Sequence, residues 1–140
     1  MLRAFPMILI AVLGYNALVF GGVAAGHDPL SLLGQTITVK IFSGDAWKIT
    51  LGDALVTLAL ALLFIETVKA TRTSNREIIN HALSLLTFIG AVVEFIVLKG
   101  FGTTTFFLIA AMCLFDVVAG YTISIIAAKH DFNMAPRDGD

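Results

Sequence analysis

The chain has 140 residues, 58% of them hydrophobic and 14% charged, with a formal net charge of −1 at pH 7 and a mean hydropathy of +0.93. A soluble domain of this length has too little interior to hide that much apolar surface, so lipid is expected to cover much of it. A charge balance near zero offers nucleic acid no basic field, and the single cysteine, Cys113, excludes an internal disulfide and a cysteine-based metal site.

Four apolar stretches predict four spans, at about 5–25, 51–70, 77–98 and 103–128, each close to the ~20 residues that cross a hydrocarbon layer of about 30 Å. The expected fold class is an all-α membrane protein: a four-transmembrane-helix antiparallel bundle forming one domain, with a small β-hairpin in the first extracytoplasmic loop. Val23-Ala24-Ala25-Gly26 has the look of a signal-peptide cleavage site, but three further spans and the mid-segment Asn16 favour a permanent first helix.

The first loop, about 26–50, opens with Asp28-Pro29, an acceptor at the N-cap and a proline at N1, which predicts a short helix over Leu30 to Leu33. Thr36 to Ile41 and Trp47 to Thr50 then alternate polar and apolar residues around the turn residues Ser43-Gly44-Asp45, so a hairpin is expected within about 36–50. An isolated hairpin is marginal in water. Its apolar face needs lipid, helix ends or a partner, with Trp47 as an anchor at the headgroup level.

Thr50-Leu51-Gly52-Asp53 carries the spacing of an acidic capping box at the start of the second span, and Ser74-Asn75-Arg76-Glu77 repeats it at the third. The turn Lys99-Gly100-Phe101-Gly102 leads to the fourth span, and the polar tail 129–140 is expected to be disordered. Arg3, Lys69, Arg72, Arg76, Lys129 and Arg137 fall on one side of this arrangement, against Lys40, Lys48 and Lys99 on the other. The positive-inside rule then predicts cytoplasmic termini and an outward hairpin, in the inner membrane if the host is a Gram-negative bacterium. The first span lacks the acid of small multidrug transporters, and Thr103 to Phe107 lacks the companion motifs of small fluoride channels, so no known family is recognised.

Ionisable groups inside the spans are the functional evidence, because a charge in hydrocarbon costs at least about 2.5–3.5 kcal/mol and normally faces the bundle interior or a partner. Asp116 lies midway along the fourth span, on a face shared with Cys113, Gly120 and Ser124. Asn16 sits at a similar depth and is expected to donate to it as an interhelical lock; structural pairing and ion or proton handling are both open for Asp116. Glu94 ends a polar and small stripe of Asn80, Thr87, Gly90 and Ala91, at a depth near Asp53, with proton sharing or cation binding beside Asp53, snorkelling, and pairing to Lys99 as its options. Glu66 and His81 lie at matching depths on consecutive helices, where a direct contact is expected, either as a structural bond or as a proton relay, and Glu66 also has Lys69 at i+3.

Lys69, Arg72 and Arg76 are candidates for lipid headgroups. No HExxH, GxSxG, Walker or CxxC pattern is present, and the three histidines are too dispersed for a metal triad, so no cofactor or metal is expected; a lipid-modifying enzyme that holds a phosphate headgroup on those basic residues stays open as the lesser alternative. Two function classes follow. One is a non-enzymatic accessory or assembly subunit, or a self-associating helical module, using the small residues Ala11, Gly14, Gly21, Ala25 and Gly120. The alternative is a homo-oligomeric proton- or cation-linked channel or transporter using the intramembrane carboxylates. The expected partners are the lipid bilayer and either further copies or a larger membrane complex, with no nucleic acid.

Overall fold

The computed structural model describes residues 5–70 and 77–134, and at 77–78 and 127–134 the backbone alone. The chain is mostly helical: α1 (Ile8–Ala24), α2 (Pro29–Leu33), β1 (Thr36–Lys40), β2 (Ala46–Thr50), α3 (Leu51–Ala70), α4 (Glu77–Val97) and α5 (Thr104–Met134). Three helical stretches are long and apolar enough to cross a membrane, Leu51–Ala70, Ile79–Val97 and Thr104–Ile126, while α1 is apolar and 17 residues long. The second capping pattern, Arg3, Arg72, Arg76 and the last residues of the tail lie outside the described residues. Helix α5 continues to Met134, past Ala128 where the sequence reading ended it, so the start of the expected disordered tail is helical.

Local signals are read out where contiguous residues carry them. Helix α1 stops at Ala25 because Gly26 takes φ +81, which lets its amide reach the Val23 carbonyl and the His27 amide reach Gly22. This doubly bonded exit is the Schellman motif. Asp28 caps α2 by accepting from the Ser31 amide at 3.1 Å, with Pro29 at the first helical position. The strands pair antiparallel with Thr36 opposite Thr50 and Lys40 opposite Ala46, and Gly44 at φ +92 turns the chain.

Thr50 ends β2 and also caps α3. Its hydroxyl accepts from the Asp53 amide at 2.9 Å, while the Asp53 carboxylate accepts from the Thr50 amide at 2.9 Å. The box welds the hairpin to the helix, so Thr50→Ala should destabilise the fold by about 0.5–2 kcal/mol and increase amide exchange in β2. Unchanged exchange in 46–50 would show that the cap does not hold the strand.

Helix α5 packs along both α3 and α4, and α1 leans on α3 and α5 while touching α4 less. The buried face of α1 is Ile8, Ala11, Val12, Tyr15 and Val19, a helical stripe that meets Phe101, Phe106 and Ile109. At the hairpin end the core is aromatic: the Tyr15 ring lies 4.6 Å from Phe106 and 5.4 Å from Phe101, and Phe101 meets Phe106 edge-on at 4.9 Å. Two glycines allow close approach, one at the hairpin end and one toward the opposite end. A Cβ at Gly52 would lie 2.6 Å from Thr105 Oγ1, and one at Gly120 would lie 2.5 Å from His81 Nδ1.

Candidate functional site

Polar side chains inside the bundle form three groups, each joining different helices. The first centres on Glu66 of α3, which is 1% exposed. Its carboxylate accepts from the Met7 amide at 2.8 Å, from Lys69 Nζ at 3.1 and 3.2 Å, and from Asn80 Nδ2 of α4. Met7 is the N-cap of α1 and supplies no side-chain cap of its own. Glu66 therefore takes over the cap from another helix, placing a carboxylate at the positive end of α1. Lys69 completes the latch by donating to the Phe5 carbonyl at 3.1 Å.

This differs from the sequence reading in two ways. Glu66 bonds to Asn80 rather than to His81, because adjacent residues on a helix point about 100° apart and Asn80 is the one that faces α3. His81 instead faces α5, where its Nε2 lies 2.8 Å from Ser124 Oγ and its ring lies 5.5 Å from Tyr121. Lys69, a headgroup candidate, donates to the Phe5 carbonyl and to both Glu66 oxygens. Arg72 and Arg76, the other headgroup candidates, lie outside the described residues.

The second group joins α1 to α4 and to the α4–α5 turn. Asn16 Nδ2 donates to Glu94 Oε2 at 3.0 Å and to the Val12 carbonyl at 3.0 Å. Both amide protons are used, so Asn16 is not the lock on Asp116 that its depth implied. Glu94 is held by Asn16 rather than paired with Asp53, whose carboxylate is spent on the capping box. The reason is register: the Glu66 cap and the Tyr15 hydroxyl hold α1 at a height that equal-depth counting cannot supply. Tyr15 Oη donates to the Gly100 carbonyl at 3.0 Å and lies 2.6 Å from Thr103 Oγ1. An apolar cleft of ≈ 310 Å³ opens beside this group between Pro6, Leu9 and Val12 of the α1 segment and Leu83, Thr87 and Gly90 of α4, with Glu94 on its wall.

The third group lies between α4 and α5. Asp116 is 5% exposed and has Ser84 beside it, with Glu66, Lys69 and His81 within electrostatic reach. Among the described residues, three buried side-chain atoms make no hydrogen bond: Asp116 Oδ2, Ser84 Oγ and Asn80 Oδ1. Ser84 and Tyr15 were not among the expected site residues. Ser84 carries a usable signal, since it follows Asn80 by one helical turn and precedes Thr87 on the same face; Tyr15 reads in sequence as one more apolar side chain. Trp47 is 58% exposed on the hairpin, opposite Val39.

Chemically, the first two groups are ties, while the third holds an acid with unfilled hydrogen-bonding capacity. Among the described residues no cluster of three or more His, Cys, Asp or Glu side chains is arranged to hold a metal ion. No protein-family model, curated protein or solved structure matches this chain.

Proposed function

We propose that this protein is a non-enzymatic, multi-pass module of the cell (inner) membrane that works as an assembly subunit or by self-association. In this reading α1 crosses the bilayer with the three longer helices, its 17 residues being at the short end of the spanning range of roughly 17–25. The lysine and arginine bias places both termini in the cytoplasm and the hairpin outside. Ile37 and Trp47, exposed along the hairpin, suit a seat among lipid headgroups.

The observation that carries the reading is the commitment of Glu66 and Glu94 to neighbouring helices, through Asn80 and Asn16. Acids that bind their own bundle together are spent as knitting and do not line a path for a solute. The outer faces remain apolar, and at Gly14, Gly21 and Gly90 a Cβ would meet nothing within 4 Å among the described residues. Such open small-residue positions let a further helix approach closely.

Purification of the tagged protein from its native membrane in mild detergent, followed by native mass spectrometry, tests this. Stoichiometric larger subunits or a discrete homo-oligomer is the expected result. A monomer that carries only lipid under conditions preserving other complexes would contradict it.

A further inference from the structure

The Asp116, Ser84 and Asn80 group is not explained by assembly. All three side chains are at least nine-tenths buried, each presents an oxygen without a partner, and leaving such groups unpaired in a low-dielectric interior is costly. Ser84 stands beside the Asp116 carboxyl, and Asn80 precedes Ser84 by four residues on the same face of α4. The Asn80 amide nitrogen donates to Glu66, which leaves its Oδ1 as the acceptor without a donor.

A count of hydrogens shows what is missing. Joining the three oxygens in a row takes two hydrogen bonds, one between Asp116 and Ser84 and one between Ser84 and Asn80. With Asp116 ionised there is a single hydrogen among them, the one on the Ser84 hydroxyl. Whichever way it points, one acceptor stays empty.

We propose that Asp116, Ser84 and Asn80 form a binding site for one exchangeable proton, taken up on Asp116 Oδ2. Uptake forms one O–H bond, cancels the carboxylate charge and involves no electron transfer. Asp116 Oδ2 then donates to Ser84 Oγ, Ser84 donates to Asn80 Oδ1, and Asn80 Nδ2 continues to donate to Glu66. One proton fills all three unpartnered atoms. The charged and titratable groups that face the site are Glu66 and Lys69 of α3, His81 of α4 and Cys113 of α5. Glu66 and Lys69 form an ion pair with each other. Proton uptake on Asp116 ties α4 to α5 at the level where Gly120 admits the His81 ring, so the α4–α5 contact becomes proton-dependent. This inference stands independently of the assembly reading, since a monomer can carry the site.

Infrared spectroscopy of the full chain in lipid nanodiscs, with aspartate carboxyl carbons labelled with ¹³C, tests it across a pH titration. The wild type is expected to show the carbonyl stretch of a protonated, hydrogen-bonded aspartic acid that persists at neutral pH, shifts in D₂O, and disappears in Asp116→Asn. Ser84→Ala should move that band toward a free acid, a change that a merely structural carboxylate would not produce. If Asp116→Asn fails to fold, Asp116→Glu decides instead, because it keeps an acid at the site while removing that position from the ¹³C-labelled aspartate band. Only ionised-aspartate bands at neutral pH would overturn the proposal, as would stabilisation of the wild type by sodium at fixed pH that Asp116→Asn lacks.

Discussion

Replacing Glu66 by leucine is expected to lower stability by about 3–5 kcal/mol, the largest single-residue effect in the molecule. The substitution removes the acceptor for three groups at once: the Met7 amide, the Lys69 ammonium and the Asn80 amide. Asn80 is buried and loses its partner, and α1 loses the only cap its N-cap residue has among the described residues. Glu66→Gln should fall between wild type and leucine, since it keeps one acceptor oxygen for Asn80 but turns donors toward Lys69. The check is unfolding in mixed micelles, followed by loss of α1 protection in hydrogen exchange. Leucine at the stability of wild type would mean that the latch does not hold α1.

The second large effect is steric. A Cβ at Gly120 would lie 2.5 Å from Nδ1 and 2.6 Å from Cε1 of His81, and the ring is held by Ser124 and by Tyr121. Gly120→Val must push the ring out and break the Ser124 bond, with an overpacking cost of about 1–3 kcal/mol plus the lost bond of about 1 kcal/mol. The contact also predicts a rescue. His81→Ala makes room, so adding it to Gly120→Val should recover part of the loss, and the two changes should be non-additive. Additive losses in a thermal melt would mean that the two residues do not share that space.

What could be read in the sequence was what neighbouring residues decide among themselves. The Asp28-Pro29 helix start, the Thr50–Asp53 box and the alternation that makes β1 and β2 involve partners within a few residues or across one turn. Length and hydropathy likewise marked three long apolar helices. Partner choice between helices was not legible, because it depends on each helix's height and rotation. Asn16 counted from the first residue lies level with Asp116; in the bundle, α1 hangs from Glu66 and Tyr15 reaches Gly100, and its amide meets Glu94. Glu66 met Asn80 instead of His81 for want of one residue of rotation. Asp116 was legible as a buried acid, but its Ser84 and Asn80 neighbours needed the α4–α5 packing.

The carboxylates of α3 and α4 tie helices together, and Glu66 with Asn80 is the more buried of the two ties. A double-mutant cycle measures that tie: unfolding free energies in bicelles for wild type, Glu66→Leu, Asn80→Leu and the double variant. A coupling of about 1–3 kcal/mol is expected, the upper half reflecting the charge on the acceptor. Single-variant losses that simply add would mean the carboxylate does not hold the helices together, and would return Glu66 to the set of acids free to handle ions.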